Sequence, residues 1–172
     1  MRVGKWMIVV GLLAVLCAAT GQTQETAIVL TPVKYDGLKQ EVVKRRGKVL
    51  LVDFWGSFCF PCMTAMPKFI AMHQKYASKG FEVITVSIDD PSKVESVKAA
   101  EAFLRRARPS FPNFLLDEAA GFCIAKLDCK SLPCYFVFDR QGRWVRFGGV
   151  ESTKGVDYEE LERVVVGLLE EK

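Results

Sequence analysis

Two periodicities of hydrophobic positions divide the chain into predicted strands and helices. Nearly continuous apolar runs, typical of strands buried on both faces, occupy Lys48–Phe54 and Phe81–Ile88. Between them, apolar side chains recur every three or four residues from Phe60 to about Ser78, which predicts a helix with one buried face. Pro67 lies inside this helix and is expected to kink it. The order of these segments predicts parallel strands joined by a helix.

The rest of the chain continues this alternation and ends in an antiparallel hairpin followed by a helix. The further predicted elements are a short strand at Ala27–Leu30, a helix over residues 37–45, a helix capped by Asp90 or Ser92, a strand at Phe114–Leu116, a helix at Asp117–Leu127, strands at Cys134–Phe138 and Arg143–Phe147 joined by the turn Asp139–Gly142, and an amphipathic helix at Val156–Leu169. We therefore predict an α/β fold with a central mixed sheet flanked by helices. It forms one domain over residues 36–172, after a lead-in at 22–35.

The first 21 residues have the pattern of a secretory signal peptide. Arg2 and Lys5 flank the start of an apolar run over Trp6–Ala19, and the small residues Thr20 and Gly21 follow it. The run is shorter than the ~20 apolar residues of a membrane-spanning helix, which favours cleavage. Retention as a membrane anchor is the alternative. We expect an exported protein, either periplasmic or secreted.

Charge and cysteine content narrow the class of partner. The chain has 24 basic and 20 acidic residues, a net charge of +4, and without Arg2 and Lys5 the count is 22 against 20. No basic stripe with interleaved aromatic residues stands out, so nucleic acid is not an expected partner. Five of the six cysteines follow the leader. Because this number is odd, at least one is free or bonded to another molecule. We expect a monomer.

The strongest chemical signal is the motif Cys59-Phe60-Pro61-Cys62 between a predicted strand and its helix. This position places the first thiol at a helix N-terminus, where unpaired backbone N–H groups and the helix dipole favour the thiolate. Cys59 is therefore the expected exposed nucleophile, and Cys62, one turn into the helix, is the expected buried resolving thiol. A Cys59 thiolate can attack a partner disulfide, and Cys62 can then displace the mixed disulfide.

Two other interpretations of this motif are a permanent structural disulfide and half of a zinc site. A zinc site needs four ligands, usually from a second pair of cysteines or histidines, and the sequence offers no such pair. A peroxidase would carry a lone peroxidatic cysteine at the helix start, where this chain has two. We therefore expect no metal, and no cofactor other than a redox-active disulfide between Cys59 and Cys62.

Three motifs, in the same order, resemble those of the thioredoxin superfamily and of its exported TlpA/ResA-like branch. They are Val52–Cys62, Phe111–Asp117 and Ser131–Gly142. The resemblance covers the chain from the end of the lead-in to the C-terminus. It implies a thioredoxin fold with a TlpA-like helical insertion between Ile88 and Phe114. It also implies exchange with protein dithiols or disulfides and an upstream electron donor, for which a membrane protein is one candidate.

Asp53 lies inside the predicted strand before the cysteines. A carboxylate in a buried strand is costly, and its pKa is expected to rise through desolvation. The resemblance implies that Asp53 relays the proton of the buried thiol. The alternative is a structural aspartate hydrogen-bonded to nearby backbone.

A second group of residues is expected to contact the substrate. The resemblance implies a cis peptide bond before Pro133 and a Leu132 backbone turned towards Cys59, where it pairs with an extended peptide. An ordinary edge-strand proline is the alternative. Phe60 is expected to be exposed, and Trp55 to be partly buried beside the disulfide. The predicted substrate-binding set is Trp55, Phe60, Pro61, Leu132 and Pro133.

Three further cysteines lie outside the motif. Cys134 follows the proline at 133 and is a candidate auxiliary thiol that could trap or resolve Cys59. Cys123 and Cys129 flank the end of a predicted helix and could form a disulfide. For each of the three, the alternative is an ordinary small core residue.

Two positions depart from the family pattern. Ala65 stands where ResA-like proteins have a glutamate, so the resemblance does not imply a selectivity for haem proteins that depends on that acid. Thr85 stands where thioredoxin has a lysine.

Asp53 and the overall resemblance favour a thiol–disulfide oxidoreductase that reduces its partners. The alternative is a thioredoxin-fold binding or structural module with a non-catalytic disulfide.

Overall fold

The computed structural model describes residues 28–119, 121–149 and 155–171, which contain a six-stranded mixed sheet. Its strands are β1 (Leu30–Val33), β2 (Val49–Trp55), β3 (Phe81–Ser87), β4 (Asn113–Leu116), β5 (Cys134–Phe138) and β6 (Trp144–Gly148). Their order in the sheet is β1-β4-β3-β2-β5-β6. The pairs β1–β4, β4–β3 and β3–β2 are parallel, whereas β5 runs antiparallel to β2 and β6 antiparallel to β5.

Helices cover both faces of this sheet. They are α1 (Tyr35–Lys44), α2 (Phe60–Tyr76), α3 (Val94–Ala107), α4 (Phe122–Leu127) and α5 (Tyr158–Glu170), with a 3₁₀ turn at Ala77–Lys79. Buried side chains of α2, α3 and α5 form one core cluster, and those of α1 and α4 form a second. Since side chains alternate along a strand, β2 contributes Leu51 and Trp55 to the first cluster and Leu50 and Val52 to the second. The sheet thus separates two cores.

This architecture confirms the predicted α/β fold with a mixed central sheet. Strand β5 has the predicted bounds, α2 begins at the predicted Phe60, and α3 is the helix of the predicted insertion between β3 and β4. Helix α2 continues through Pro67.

The predicted position of the first strand is wrong. We expected Ala27–Leu30, whereas β1 begins at Leu30 and pairs in parallel with β4, so that Leu30 lies opposite Asn113 and Val33 opposite Leu116. A proline within the strand, at position 32, is compatible with this pairing because β1 is an edge strand with one unpaired side.

The predicted start of α3 is also wrong. The helix begins at Val94, and its N-cap residue Lys93 has no side-chain cap hydrogen bond. The expected cap Ser92 instead donates to the Asp90 carboxylate from its N–H (3.0 Å) and from its hydroxyl (2.6 Å). This local turn uses the groups that would otherwise have capped the helix.

Helix α4 is shorter than the predicted Asp117–Leu127, since it begins at Phe122. The residues before it contact the segment that follows the neighbouring strand β1. Lys34 forms an ion pair with Asp117 at 3.1 Å, and the Tyr35 N–H donates to Glu118 at 2.8 Å. Gly121 then adopts a left-handed backbone conformation (φ 81°) at the start of the helix. These contacts hold residues 117 and 118 against α1 and outside the helix.

The predicted leader at residues 1–21 and residues 22–27 of the lead-in lie outside the described residues. Within the described ranges, no helix is long and apolar enough to span a membrane.

Candidate active site

A disulfide joins the two cysteines of the motif at the start of α2. The sulfur atoms of Cys59 and Cys62 are 2.00 Å apart and the Cα atoms 5.3 Å apart. Cys59 is the N-cap residue, and its Sγ accepts a hydrogen bond from the Cys62 N–H at 3.3 Å. This confirms the predicted placement of Cys59 at a helix N-terminus. There, backbone N–H groups can stabilise its thiolate when the disulfide is open.

The two sulfur-bearing residues differ in exposure. Cys62 is completely buried, as predicted, whereas the prediction of an exposed Cys59 is wrong for the disulfide form, since this residue is only 7% exposed. The Cys59 side chain packs into the core cluster that contains Cys62 and Trp55, and it lines a groove beside the start of α2. Of the two cysteines, Cys59 alone lines this groove.

The groove has a volume of about 1020 Å³ and two different walls. Phe58 and Phe60 on the α2 side are 70% and 74% exposed, which confirms the predicted exposure of Phe60. Pro61 lines the same side, beside Cys59. Acidic residues contribute further lining, namely Asp89, Asp90, Asp117 and Glu118. The groove therefore offers aromatic side chains next to the disulfide.

The other wall is the segment that precedes β5. The peptide bond between Leu132 and Pro133 is cis, as the resemblance implied. Leu132 lines the groove together with Cys59. The Pro133 carbonyl accepts a hydrogen bond from the Gly149 N–H at 3.0 Å, which ties this segment to the end of β6.

The predicted partial burial of Trp55 is wrong, and so is its place among the substrate contacts. Trp55 is 0% exposed, and its ring packs against Phe103 of α3 with the centroids 5.1 Å apart. The inserted helix therefore covers the indole. Trp55 does share the core cluster of Cys59 and Cys62, so the expected packing beside the disulfide holds.

Asp53 is fully buried on the same face of β2 as Trp55, towards α2. Neither of its carboxylate oxygens has a hydrogen-bond partner in the described residues, so the alternative of a backbone-bonded structural aspartate is wrong. Burial raises the pKa of Asp53 well above its ordinary value, as predicted. A carboxyl group in this environment is stable with its proton bound.

The neighbours of Asp53 in the sheet are not cations. Thr85 lies opposite it on β3, and the Thr85 hydroxyl donates to the Asn113 side chain at 2.8 Å. Tyr135 lies opposite it on β5, where its hydroxyl pairs with that of Tyr158 at 3.0 Å. Burial, followed by the nearby Asp53 charge, raises the pKa of Tyr135. A charged Asp53 would thus favour the neutral form of Tyr135.

A contact that sequence reasoning missed holds the loop before Cys59. The buried Asp89 carboxylate, just after β3, accepts hydrogen bonds from the Ser57 N–H at 2.9 Å and from the Ser57 hydroxyl at 2.5 Å. It also accepts one from the Ser87 hydroxyl at 2.7 Å. The two partners are 32 residues apart, so no local pattern indicates their contact.

The three other cysteines of the described ranges, Cys123, Cys129 and Cys134, are free and buried. Cys134, the candidate auxiliary thiol, belongs to the core cluster on the α1 and α4 side, whereas Cys59 belongs to the cluster on the α2 side. The pair Cys123 and Cys129, which could have formed a disulfide, are both thiols in this structure. Among the described residues, no group of three or more histidine, cysteine or acidic side chains is arranged to hold a metal ion.

A CxxC disulfide at the N-cap of a helix, beside a groove and on a mixed α/β sheet of this topology, defines a thiol–disulfide oxidoreductase with a thioredoxin-like fold. The chain belongs to the AhpC/TSA family, whose model matches residues 27–146.

Individual relatives agree with this class. The thiol-disulfide oxidoreductase ResA of Bacillus thuringiensis subsp. konkukian is 29% identical over 129 residues, which are 75% of this chain and 70% of that protein. A crystal structure of a DsbE-type thiol:disulfide interchange protein from Chlorobium tepidum has a TM-score of 0.60 and 29% identity, with 74% of this chain and 84% of that chain covered. A thiol-disulfide isomerase from Corynebacterium glutamicum shares the fold at 22% identity, with a TM-score of 0.65 and coverage of 85% and 97%.

Proposed function

We propose that this protein reduces disulfides of exported protein partners through the Cys59–Cys62 pair, with no other redox cofactor. The observation that carries the proposal is the disulfide at the N-cap of α2, in which Cys59 lines the groove and Cys62 is completely buried. This asymmetry makes Cys59 the sulfur that a partner can reach. The Cys62 sulfur is completely buried, so a partner cannot reach it.

The exchange proceeds in two displacements. The Cys59 thiolate attacks one sulfur of the partner disulfide and releases the other partner sulfur as a thiolate, which takes up a proton. The Cys62 thiol then loses its proton, attacks Cys59 in the mixed disulfide and releases the second partner sulfur. The protein dithiol has then lost two electrons to the partner disulfide, and an upstream electron donor must restore it.

Asp53 is proposed as the group that accepts and returns the Cys62 proton. Two observations support this role: Asp53 faces the same side of the sheet as α2, and burial raises the pKa of its carboxyl group. A base whose pKa lies nearer to neutrality is better suited to proton exchange with a thiol. We expect Asp53→Asn to slow thiol–disulfide exchange. Exchange rates that match the wild type throughout pH 6 to 9 would refute the relay.

The substrate is proposed to bind as an extended peptide in the groove. Phe60 and Pro61 would contact it from the α2 side, and Leu132 and Pro133 from the segment before β5. The exposed Phe60 ring offers apolar area to a partner beside the reacting sulfur.

Export is proposed from the leader pattern of residues 1–21, with cleavage favoured over retention as an anchor. We further propose a monomer whose partners are proteins rather than nucleic acids, and a membrane protein as the upstream electron donor.

The direction of electron flow is tested by the reduction potential of the Cys59–Cys62 pair in glutathione buffers. A potential below about −220 mV supports the reductant, whereas one near −120 mV supports an oxidant.

Insulin reduction tests the catalytic role of the pair against a binding module. We expect the wild type to reduce insulin with dithiothreitol as electron source, and Cys59→Ser to lose this activity. Trp144→Ala, which changes an exposed residue that does not line the groove, is the control and should retain the activity. Equal insulin reduction by Cys59→Ser and the wild type would favour the module.

A further inference from the structure

A cleft separate from the groove lies between α1, the β5–β6 hairpin and the end of α4. Its volume of about 750 Å³ is within the range of small-molecule sites. The strand side chains beneath it belong to the core cluster of α1 and α4, on the face of the sheet opposite to the active-site disulfide. We call it the α1 cleft and define it by six of its lining residues: Val43, Arg46, Lys48, Val52, Phe138 and Trp144.

The floor of the α1 cleft is an apolar strip. Leu50, Val52 and Phe54 line it in a row, because alternate residues of β2 face the same side. At about 3.3 Å per residue, this row is about 13 Å long. Phe138 and Phe136 of β5 lie beside it, opposite Leu50 and Val52. The strip is therefore long enough for an extended alkyl chain.

The walls of the cleft add exposed apolar side chains. Val43 on α1 is 55% exposed, and Trp144 on β6 is 58% exposed. The Trp144 ring packs against that of Phe136 with the centroids 5.2 Å apart, so it extends the floor towards solvent. Large apolar side chains that are exposed together around a cavity are typical of binding sites.

The chemistry of the floor favours an alkyl chain over a peptide. Strand β2 pairs with β3 and β5, and β5 pairs with β2 and β6, so both strands are interior. Their backbone N–H and C=O groups are used within the sheet and cannot pair with an extended peptide. The leucine, valine and phenylalanine side chains of the strip carry no polar atoms. A ligand on this floor needs no polar group along its length.

Two cations lie at the end of the cleft where Leu50 faces Phe138. Lys48 directly precedes β2, and Arg46 follows the end of α1; both are exposed and line the cleft. Arg46 reaches the turn between β5 and β6, since a Cβ atom at Gly142 would lie 3.4 Å from its Nε. The guanidinium and the ammonium group thus flank one end of the apolar strip.

The other charged groups at this end already have partners. Arg45 forms an ion pair with Glu41 at 2.8 Å, and Asp139 pairs with Arg143. Among the described residues, no acidic group lies within ion-pair distance of Arg46 or Lys48. A carboxylate matches the fork of a guanidinium group and would compensate both cations.

The opposite end of the cleft has less uncompensated charge. There, Arg146 forms an ion pair with Asp128 at 3.2 Å, and Lys126 is a single further cation. The charge distribution therefore favours a ligand with one anionic end and an apolar body.

We propose that the α1 cleft binds a fatty acid anion, with its carboxylate between Arg46 and Lys48 and its alkyl chain along the β2 strip towards α4. This proposal goes beyond the reductant function, because the cleft and the reactive sulfurs lie on opposite faces of the sheet. It holds whether or not the protein reduces disulfides.

Calorimetric titration of the full chain with decanoate tests the proposal. We expect saturable binding of one decanoate per chain. Decan-1-ol has the same chain without the charge and should bind at least about tenfold more weakly. Hexanoate keeps the carboxylate but lacks four methylene groups, and it should also bind at least about tenfold more weakly.

Variants of exposed residues test the position of the carboxylate. Arg46→Gln/Lys48→Gln should weaken decanoate binding about tenfold and leave decan-1-ol binding unchanged. Lys44→Gln/Lys126→Gln is the matched control, since it removes two charges as well, one outside the cleft and one at its α4 end. It should stay within about twofold of the wild type, because exposed charges away from the ligand are screened.

Fluorescence tests the position of the alkyl chain. Of the three tryptophans, Trp144 alone lines the cleft, since Trp6 is in the predicted leader and Trp55 is in the other core cluster. Saturation with decanoate should shift the emission of the wild type to shorter wavelength, because the chain covers the exposed indole. Trp144→Phe should lose this shift and keep the calorimetric affinity within about twofold.

Several outcomes would overturn the proposal. They are equal affinities for decanoate and decan-1-ol, equal losses in the two double variants, and an unchanged emission of the wild type at saturation. Binding to phosphatidylglycerol vesicles without binding to decanoate would also overturn it and would indicate a membrane surface instead. Cys59→Ser should bind decanoate like the wild type, which separates this result from the test of the reductant function.

Discussion

Asp89 accepts two hydrogen bonds from Ser57, one from its N–H at 2.9 Å and one from its hydroxyl at 2.5 Å. The carboxylate is 1% exposed and follows β3, whereas Ser57 lies two residues before Cys59. This contact joins the loop that carries the nucleophile to the neighbouring parallel strand. Since it is buried and involves a carboxylate, it is of the stronger kind of hydrogen bond.

Asp89→Asn should destabilise the protein. The amide would leave at least one of the three donors from Ser57 and Ser87 without an equivalent acceptor. We expect the free energy of unfolding to fall by about 1–3 kcal/mol, measured by urea denaturation. Asp90→Asn changes an exposed neighbouring carboxylate and should stay within about 0.5 kcal/mol of the wild type. Equal losses in both variants would show that the Asp89 contact is not specifically stabilising.

Asp53→Asn should stabilise the protein increasingly as the pH rises. Because burial raises the Asp53 pKa in the folded state, the stabilising contribution of its protonated form is fully present below the unfolded-state pKa of about 4. It is lost as the pH rises through the raised folded-state pKa, by up to about 1.4 kcal/mol per pH unit. Asparagine cannot ionise. In denaturation experiments, the free energy of unfolding of Asp53→Asn should therefore exceed that of the wild type by an amount that increases between pH 5 and 8.

Asp36→Asn is the control for this pH series. Asp36 is exposed and forms an ion pair with Lys39 at 2.6 Å, and this pair lowers the pKa of Asp36. Above about pH 5, the free energy of unfolding of Asp36→Asn should therefore change with pH in parallel with that of the wild type. A parallel curve for Asp53→Asn as well would mean that the Asp53 pKa is not raised in the folded protein.

Phe60→Ala should weaken the use of protein substrates without changing the chemistry at sulfur. Loss of an exposed aromatic contact worth about 1 kcal/mol corresponds to a fall of about fivefold in kcat/KM for insulin. The rate with a small aromatic disulfide should be unchanged, since such a reagent needs no groove contact. Trp144→Ala removes an aromatic side chain that is 58% exposed and does not line the groove, and it should leave both rates intact. A parallel loss with both reagents after Phe60→Ala would point to an altered disulfide instead.

Phe69→Ala should be strongly destabilising. Phe69 is 0% exposed on the buried face of α2, with its ring 5.0 Å from that of Tyr135 and 6.1 Å from that of Tyr158. A cavity at this position is expected to cost about 3–5 kcal/mol of unfolding free energy, measured by chemical denaturation. Phe60→Ala, on the exposed side of the same helix, should change it by less than about 0.5 kcal/mol. A loss below 1 kcal/mol at Phe69 would contradict the packing described here.

Sequence patterns were sufficient where the structure depends on local periodicity. Strand β5 has its predicted bounds, and α2 begins at Phe60, because an apolar run and a helical repeat are local signals. The helix before Cys129 was predicted too long, since ion pairing of Asp117 with Lys34 and the contact of Glu118 with α1 hold its first residues elsewhere. Those partners lie far away in the chain, and no local pattern identifies them.

The chemistry of the site was likewise determined by the sequence, and its surroundings by the tertiary structure. The spacing of Cys59 and Cys62 after a strand is enough to place a disulfide at a helix N-cap. Only strand register and helix coverage decide that α3 buries Trp55 and that Cys134 faces the opposite core. Spacing within one element determines local geometry, whereas the burial of a side chain and the core that it faces depend on which distant elements pack against that element.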